Sequence, residues 1–332
     1  MAAHELAVAV VGPTGLVGEG ILDLLTARAF PAHTVRFLGS MRTAGAELEH
    51  AGRREKVGLV GPATLEGLDL VFFAAGPHVA GEHAPAAVAA GAAVIDLSSR
   101  FRLDAAVPLV VPEVNPATLA DFRERGIVAS PSSNVIALAL VLQPLAAAAG
   151  LRRVVVSTYQ SAAGAGRGML RRLSDETLRL LGNHEVREAS RLAFNCVPQV
   201  GALEPGGPST YELLMAAELR KVLGDPALAV SVTAVRIPVF FGHSMSVVLE
   251  PETPLGAEAA ADILRRAAGV EVHDATPGPA EIVGSEQTHV VRLRNDPGVE
   301  HGLMLWITFD NVLRGGALNA VEIAELLARE YL

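Results

Sequence analysis

The sequence predicts a two-domain α/β protein whose N-terminal domain is a doubly wound parallel sheet. In roughly the first 130 residues, short apolar runs alternate with helix-like segments, as they do where helices cover both faces of such a sheet. In the rest of the chain the β-rich stretches are longer, which favours an α+β domain with a mixed sheet. A chain of 332 residues, 50% of them hydrophobic, can form about two domains.

The N-terminal alternation starts with residues 6–12, a continuous apolar run typical of a strand buried on both faces. A helix pattern follows over residues 15–27. Further strands are predicted at residues 35–40, 68–75 and 93–97, and a helix at the alanine-rich residues 86–90, just after Pro85. Parallel strands joined by helices have right-handed crossovers, so these elements are expected to form one sheet.

The second part of the chain begins with a long apolar helix pattern at residues 135–149. Its longer strands are predicted at residues 153–160, 228–239, 244–250 and 303–310. Strands of this length favour a mixed or antiparallel sheet that could pair with a second subunit. Residues 317–332 form a strongly amphipathic helix pattern.

Charge, hydropathy and cysteine content exclude several classes of protein. A net charge of −9 argues against a nucleic-acid surface, which needs clustered basic residues. No apolar run is long enough for a transmembrane helix, and residues 1–5 lack the layout of a signal peptide, so we expect a soluble cytoplasmic protein. The single cysteine, Cys196, excludes internal disulfides and multi-cysteine zinc sites. The histidines show no paired ligand spacing, since His78 and His83 are five apart, so we expect no metal.

A glycine-rich turn directly after the first strand predicts a dinucleotide site. Gly12 and Gly15 allow a tight bend and a close approach to a pyrophosphate, and Gly18 allows close packing of helix against strand. The helix N-terminus then presents amides to the phosphates. The residues assigned to the cofactor in this turn are Gly12, Thr14, Gly15, Leu16, Val17 and Gly18. Glycines in such turns are also simple turn-formers, but the strand before and the helix after favour the nucleotide.

The end of the second predicted strand favours NADP over NAD. The acidic residue that would bind the ribose hydroxyls of NAD is absent there. The chain instead has Ser40, Arg42 and Thr43, whose hydroxyls and guanidinium suit a 2′-phosphate. The alternative is that Arg42 is an ordinary exposed loop arginine.

At this point the motifs resemble those of the aspartate-β-semialdehyde dehydrogenase family, over almost the whole chain. The matching blocks are GPTGLVG (12–18), VPLVVPEVN (107–115), STYQSAAGAG (157–166), AFNCVPQVG (193–201), RIPVFFGHS (236–244) and LWITFDNVLRGGALNAVEIAELL (305–327). Related N-acetyl-glutamyl-phosphate reductases share the chemistry, but these blocks fit the aspartate branch better. Several blocks in the family's order are more specific than any single motif.

The resemblance implies a Rossmann domain at residues 1–131 and 315–332, and a catalytic and dimerisation domain at residues 132–314. It implies the NADP-dependent reductive dephosphorylation of aspartyl phosphate to the semialdehyde, a step of lysine, threonine and methionine biosynthesis. The implied partners are an amino-acid-derived semialdehyde or acyl phosphate, free phosphate, and further copies of the chain in a homodimer or tetramer. No nucleic acid and no membrane is implied.

The resemblance also assigns roles position by position. Gln160 matches the glutamine that orients the attacked carbonyl, and His243 matches the acid/base. Arg236 matches the arginine that binds the substrate carboxylate, and Arg102 a phosphate-binding arginine. The further residues assigned by resemblance are Glu212 at the substrate and Ala75, Gly76, Gly164 and Asn311 at the cofactor. Singly, each has a plainer explanation: a glutamine capping a strand end, a solvated loop arginine, a histidine satisfied by neighbouring polar groups.

The spacing of Arg236 and His243 conflicts with a straight strand. They are seven residues apart, an odd number that would place them on opposite faces. Pro238 and Gly242 must therefore bend or bulge the chain if both side chains are to face one pocket.

The nucleophile position departs from the family pattern, which is Asn-Pro-x-Cys. Here the segment is Ser130-Pro131-Ser132-Ser133, so Ser133 occupies the cysteine position. A thiol with a pKa near ~8.5 is partly ionised at neutral pH, whereas a hydroxyl is far less acidic. We therefore expect impaired or altered activity. Cys196 occupies an aliphatic position of the family, so we expect a buried structural thiol.

The substrate helix departs from the pattern independently. The family has Glu-Glu-x-Lys, and here the aligned residues are Tyr211, Glu212, Leu213 and Leu214, which replaces one acidic and one basic side chain. A shifted register that uses Arg220 or Lys221 stays open. Three hypotheses follow: a working or engineered dehydrogenase with cysteine changed to serine, a paralogue with another substrate, or a non-catalytic dinucleotide-binding protein.

Overall fold

The computed structural model describes residues 5–186 and 191–332, and the chain divides into two compact units. The first unit extends to Ser132 and includes residues 316–332 at the other end of the chain, and the second is Ser133–Gly315. The expectation about a signal peptide concerns residues of which 1–4 lie outside the described part.

The first unit is built on a parallel sheet of six strands. The strands of this unit are β1 (Leu6–Val11), β2 (Ala32–Gly39), β3 (Glu47–His50), β4 (Arg53–Lys56), β5 (Gly58–Leu59), β6 (Leu70–Phe73), β7 (Ala93–Asp96) and β8 (Ile127–Ala129). The sheet order is β5-β2-β1-β6-β7-β8, with every pair parallel, while β3 and β4 form a separate antiparallel hairpin. The chain leaves β1 in one direction and returns to its other side at β6. The predicted doubly wound parallel sheet is therefore confirmed, and β1 and β6 flank the switch point at which ligands of such sheets bind.

The helices of this part are α1 (Leu16–Ala27), α2 (Pro62–Leu65) and α3 (Pro77–Ala89), followed by a 3₁₀ segment at Pro116–Glu124. The helix predicted at residues 86–90 is the last part of α3, which begins earlier, at Pro77, and contains Pro85. Pro77 occupies the first turn, where a missing N–H costs nothing. Burial of Ala80, Ala84 and Ala87 along one face of α3 stabilises the helix despite the internal proline.

In its described residues, the second unit has a mixed sheet of six strands and four α-helices. Its elements are α4 (Ser133–Ala149), β9 (Arg153–Gln160), α5 (Arg167–Leu181), α6 (Thr210–Leu223), β10 (Ala229–Arg236), β11 (His243–Glu250), α7 (Ala257–Leu264), β12 (Val270–His273), β13 (Thr288–Asn295) and β14 (Leu303–Phe309). The sheet order is β10-β9-β11-β14-β13-β12. The β10–β9 and β12–β13 pairs are parallel and the other pairs are antiparallel, which confirms the predicted mixed sheet.

The last helix, α8 (Asn319–Glu330), follows a π-helical turn at Leu313–Leu318 and belongs to the first unit. The Asn319 amide is fully buried and donates to the Val110 carbonyl and to Ser130 Oγ, at 3.1 and 2.9 Å. These bonds fix the returning helix to the end of the parallel sheet. Within residues 5–186 and 191–332, no helix is both long and apolar enough to cross a bilayer.

Candidate active site

At two positions of the glycine-rich turn in the first unit, a side chain would collide with neighbouring backbone. Gly12 has φ +93°, and a Cβ there would lie 2.7 Å from the Ala74 carbonyl oxygen. A Cβ on Gly18 would overlap the carbonyl oxygen of Gly12. Gly15 is the N-cap residue of α1, whose first-turn amides have no partner within the helix. Leu16 and Val17 open that helix. The turn therefore offers backbone N–H groups at a helix N-terminus, which is how proteins bind pyrophosphate.

Two further predicted cofactor segments lie at the same edge of the parallel sheet. Ser40, Arg42 and Thr43 follow the end of β2, where the Thr43 amide donates to the Ser40 carbonyl at 2.9 Å and the Arg42 side chain is exposed. Ala75 and Gly76 follow β6. Gly76 is the N-cap residue of α3, and a Cβ there would meet no atom within 4 Å. Because β2, β1 and β6 are adjacent and parallel, the turns after them are neighbours.

Arg102 is also held at this edge. Its Nε donates to the Ser130 carbonyl at 3.0 Å, and its Nη2 donates to the Leu97 carbonyl at 2.7 Å. These carbonyls follow β8 and β7, so the half-buried guanidinium joins the ends of two strands. Arg102 is therefore not a solvated loop charge. It also lies near the buried carboxyl of Asp96, whose pKa is raised because burial outweighs its hydrogen bonds and this cation.

Three predicted site residues of the second unit lie side by side at the ends of three adjacent strands of its sheet. Gln160 ends β9 and is paired with Arg236, which ends the parallel strand β10. His243 begins β11, which runs antiparallel to β9, so it lies at the same edge. The predicted conflict over odd spacing disappears, because Arg236 and His243 are on different strands with β9 between them. Gly242, at φ +78°, allows the turn into β11.

His243 is buried and uncharged at neutral pH. Burial and the nearby Arg236 cation lower the pKa of its imidazole to about 3. Its Nδ1 accepts from the Ser161 backbone N–H at 3.2 Å, so the neutral ring carries its proton on Nε2 in that arrangement. A Cβ on Gly164 would lie 2.7 Å from Nε2, which shows that the ring faces the backbone of Gly164. The ring thus presents one polarised N–H toward the Gly164 segment.

Arg236 is linked to the same residue that orients His243. Its Nη1 donates to the Ser161 carbonyl at 2.8 Å, and it lies 3.1 Å from the position of a Cβ on Gly164. Burial lowers the pKa of the guanidinium, and interaction with Tyr211 raises it. An arginine with such a shift is still cationic at neutral pH. Arg236 also lines a cavity of about 290 Å³, whose other lining residues include Met169, Leu192 and Gln199.

Ser161 is the central residue of this cluster, and the sequence analysis did not single it out. Its N–H and carbonyl contact His243 and Arg236, and its Oγ lies 3.1 Å from His243 Nδ1 and donates to Asn311 Oδ1 at 3.2 Å. Asn311 Oδ1 also accepts from the Gly242 N–H at 3.0 Å, so it fixes the turn into β11. A serine after a strand is common, and only its neighbours in space reveal this role. Cofactor binding by Gly164 and Asn311 stays a prediction.

Ser133 is the first residue of α4, in the position that the family pattern gives to the nucleophile. It is half-buried, and a Cβ on Gly315 would lie 2.6 Å from its Cβ, so the π-helical turn packs directly against it. The next residue, Asn134, donates from Nδ2 to the Tyr211 hydroxyl at 2.7 Å. Tyr211 in turn interacts with Arg236, so the start of α4 is connected to the strand-end cluster.

The first turn of α6 carries the departures from the family pattern. Tyr211 and Leu214 are three residues apart, hence on one face, and both are half-buried. Arg220 and Lys221, the alternatives under a shifted register, lie in the last turn of α6. Arg220 is nine residues from Tyr211, about 13 Å along the helix axis at 1.5 Å per residue. Arg220 Nε donates to the Leu228 carbonyl there, at 2.8 Å.

Glu212 has a structural task in the same turn. Its Oε2 accepts from the Ser209 N–H at 2.7 Å while Ser209 Oγ accepts from the Glu212 N–H, which forms a capping box. Its Oε1 accepts from the Ala234 N–H of β10 at 2.7 Å. Both carboxylate oxygens are thus bonded to backbone amides, and they fix α6 to β10. The predicted contact of Glu212 with substrate stays a prediction.

The expectation of a buried cysteine was wrong, because Cys196 is exposed. Leu192 and Ala193 are buried before it, and their amides donate to the buried carboxylate of Glu176 at 2.8 and 2.9 Å. Val200 is buried after it, whereas Phe194 and Asn195 are exposed like the cysteine.

Comparison with known proteins agrees with the architecture. The family model described as semialdehyde dehydrogenase, NAD binding domain, matches residues 7–122, and the one described as semialdehyde dehydrogenase, dimerisation domain, matches residues 142–314. Aspartate-semialdehyde dehydrogenase 2 of Vibrio cholerae is 37% identical over 334 residues, which cover 99% of each chain. The aspartate-semialdehyde dehydrogenase of Aquifex aeolicus is 39% identical over 335 residues, which cover 98% of each chain.

A crystal structure of aspartate semialdehyde dehydrogenase II from Vibrio cholerae, complexed with ASA, superposes with a TM-score of 0.95 at 38% identity. That match covers 99% of this chain and 100% of the other. The two family models together span most of the sequence, and the fold agrees throughout that coverage. The chain therefore belongs to the aspartate-semialdehyde dehydrogenase family.

Proposed function

We propose that the chain binds NADP and an amino-acid-derived semialdehyde or acyl phosphate, and that its phosphate-dependent dehydrogenase reaction is strongly impaired by Ser133. The observation that carries the proposal is the intact cluster around Ser161, which holds His243 and Arg236 beside each other. A nucleophile position that has lost its thiol while its acid/base and anion-binding partners persist fits a substrate site with altered chemistry. The active form is a homodimer, in keeping with the dimerisation-domain match.

Each residue of the cluster has a task in this proposal. Arg236 binds the substrate carboxylate, because a desolvated guanidinium forms strong bidentate contacts with carboxylates. Gln160, at the end of the neighbouring strand, orients the carbonyl that is attacked. His243 is uncharged at neutral pH and donates from Nε2 to the carbonyl oxygen as charge develops there. Arg102 belongs to the first unit, outside this cluster, and is assigned the phosphate group by the resemblance alone.

The first unit fits NADP. Gly12 and Gly18 lack a Cβ that would collide with neighbouring backbone, so the turn can pack tightly and present the first-turn amides of α1 to the pyrophosphate. Arg42 is exposed beside Ser40 and Thr43, where it can pair with the 2′-phosphate. When bound, the nicotinamide supplies or accepts the hydride that interconverts aldehyde and acyl group.

Ser133 limits the covalent step. In the oxidative direction its Oγ would add to the aldehyde carbon, and its proton would pass to the aldehyde oxygen to give a hemiacetal. That carbon would give hydride to the nicotinamide and the hydroxyl would give its proton to water, leaving an ester. A phosphate oxygen would then displace Oγ, which would leave with a proton as the serine hydroxyl. The helix N-terminus favours a negative charge at this position, but by only about 0.3–1 kcal/mol at typical sites. The free energy needed to ionise a serine hydroxyl at neutral pH is far larger than that stabilisation. The free-energy barrier to attack by Ser133 Oγ therefore stays high.

A second candidate function is favoured by the first turn of α6. Tyr211 and Leu214 replace the acidic and basic side chains of the family pattern, and the Tyr211 hydroxyl is bonded to Asn134. This face of α6 is less charged and suits a substrate without the amine of aspartate. The alternative is thus a paralogue that takes a different acyl compound, or a protein that binds dinucleotide without catalysis.

The deciding experiment is a phosphate-dependent NADP reduction assay with aspartate semialdehyde on the wild-type chain and on Ser133→Cys. We expect activity in Ser133→Cys that exceeds the wild-type activity by several orders of magnitude. Ser132→Cys, which places a thiol one residue away, is the matched control and should stay inactive. Adding Cys196→Ser to the active variant should change nothing, because that thiol is exposed and outside the cluster.

The other outcomes separate the candidates. If both chains are inactive but NADPH fluorescence reports tight binding, the second candidate is favoured, either as a paralogue with another substrate or as a non-catalytic dinucleotide-binding protein. If neither NADPH nor NADP binds, the proposal fails at its first step.

A further inference from the structure

Two histidines and a glutamate converge on one face of the second unit's sheet, at the edge away from the strand-end cluster. Glu271 and His273 are two residues apart on the edge strand β12, so their side chains share a face. β12 is parallel to β13, with Glu271 paired to His289. The three side chains therefore project from the same side of two adjacent strands.

The polar atoms of these side chains point at one another. His273 Nε2 and His289 Nδ1 are 2.7 Å apart and share a hydrogen bond. The Glu271 carboxylate oxygens lie 3.6 Å from His273 Nε2 and 3.5 Å from His289 Nδ1. One possible ligand atom from each of the three residues lies within 4.8 Å of the other two. Two imidazole nitrogens and a carboxylate oxygen at such distances form a set typical of zinc sites.

His289 is oriented by a fourth residue. Its Nε2 lies 2.8 Å from Ser285 Oγ, which fixes the ring and directs Nδ1 toward His273 and Glu271. Metal-bound histidines are usually held in this way through their second nitrogen. His289 is 6% exposed, so its ring has little room to turn away from Glu271 and His273.

The cluster opens into a cavity that can hold the remaining ligands of an ion. The cavity has a volume of about 590 Å³ and is lined by the three residues together with Ser285, Thr276 and Glu281. That volume holds several water molecules, each of which occupies about 30 Å³ in the liquid. An ion bound by three side chains can therefore complete its coordination with water from this cavity.

We propose that Glu271, His273 and His289 bind one divalent transition-metal ion of the zinc class, with water as the fourth ligand. Each ligand lies about 2.0–2.2 Å from a tetrahedral ion, so the two ring nitrogens must separate from 2.7 Å to roughly 3.3 Å. The proton that they share moves to His273 Nδ1, so two neutral rings and one carboxylate remain as ligands. The ion joins the edge strand β12 to β13.

The expectation of no metal rested on the spacing of histidines along the chain. His273 and His289 are sixteen residues apart, a spacing that has no meaning until the strands pair. The site is independent of the proposed dehydrogenase function, because β14 lies between β13, which carries His289, and β11, which carries His243.

Titration of the chelator-treated full chain with Co²⁺ tests the proposal, because tetrahedral Co²⁺ has a strong visible absorption and replaces Zn²⁺ in such sites. We expect one Co²⁺ per chain, displacement by an equivalent of Zn²⁺, and a rise in melting temperature with either ion. His289→Ala should raise the dissociation constant by at least about 100-fold, and Ser285→Ala by about 10–100-fold. His301→Ala is the matched control, because His301 is an exposed histidine 3.5 Å from the carboxylate of Glu300, and it should change nothing.

A second variant guards against a folding defect at the buried His289. Glu271 is 52% exposed in its side chain, so Glu271→Gln keeps the fold and removes one ligand charge. A tenfold or greater loss of Co²⁺ affinity in Glu271→Gln supports the site. Unchanged affinity in both Glu271→Gln and His289→Ala, or an equal loss in His301→Ala, overturns it.

Discussion

Gly164 is the position where a single methyl group should disturb the candidate site most directly. A Cβ there would lie 2.7 Å from His243 Nε2, 2.8 Å from Cε1 and 3.1 Å from Arg236 Nη1. His243 is 1% exposed, with its Nδ1 bonded to the Ser161 N–H, so the ring has little room to retreat. Contacts below 3.0 Å require a shift of several tenths of an ångström by the ring, the backbone or both.

Gly164→Ala should therefore destabilise the chain and displace His243, the proposed acid/base. Overpacking of this kind costs about 1–3 kcal/mol of unfolding free energy. A displacement of about 1 Å at a catalytic group costs on the order of 10²-fold in rate. Urea unfolding of the wild-type background measures the first effect, and kcat/KM for aspartate semialdehyde in the Ser133→Cys background measures the second.

Gly168→Ala is the matched control, because Gly168 lies in the first turn of α5 and a Cβ there meets nothing within 4 Å. That variant should be neutral or more stable by up to about 1 kcal/mol, since alanine favours helix over glycine. The reasoning is refuted if Gly164→Ala unfolds at the same urea concentration as Gly168→Ala. The unfolding measurement is decisive even if the dehydrogenase proposal fails, because it needs no substrate.

Three further predictions concern pH and the α6 face. The pKa of His243 is about 3 in the folded chain against an ordinary 6.5. As the pH is lowered, this imidazole therefore takes up its proton in the unfolded chain before it does so in the folded chain. The unfolding free energy should thus fall as pH drops from about 6.5 toward 3, and His243→Gln should flatten that slope; an equal slope in both chains would contradict the burial argument. Glu212→Gln weakens the capping box of α6 and the hydrogen bond to β10. It should lower the free energy of unfolding in urea by about 1–3 kcal/mol. A loss under about 0.5 kcal/mol would show that these bonds contribute little to stability. In the Ser133→Cys background, Tyr211→Glu with Leu214→Lys should raise kcat/KM for aspartate semialdehyde at least about tenfold, since roughly 1.4 kcal/mol of recovered ion pairing suffices; an unchanged value would refute the alignment of α6.

Much of the architecture follows from local patterns in the chain. The apolar run at β1, the glycines around Gly15 and the helix that follows predict a dinucleotide turn, because strand burial, backbone bending and helix starts depend on residues close in sequence. The long strands β9 and β11 were predicted to within a residue for the same reason. The identities of Gln160, Arg236 and His243 as site residues came from ordered family blocks, and pattern alone would not have selected them.

Position in space decided the rest. The pairing of β9 with both β10 and β11 places Arg236 and His243 beside Gln160, which resolves a conflict that sequence spacing had created. The role of Ser161 depends on backbone and side-chain contacts with residues up to 150 positions away. The exposure of Cys196 depends on which neighbours in its segment reach the core.

The amino-acid sequence by itself thus determined the two sheets, the nucleotide turn and the missing thiol at Ser133. Only the tertiary structure decided which polar side chains meet, as His273 and His289 do across β12 and β13. The physical reason is that strand and helix periodicities are properties of neighbouring residues. Pairing between distant strands instead depends on the packing of the whole unit, and no local pattern reports it.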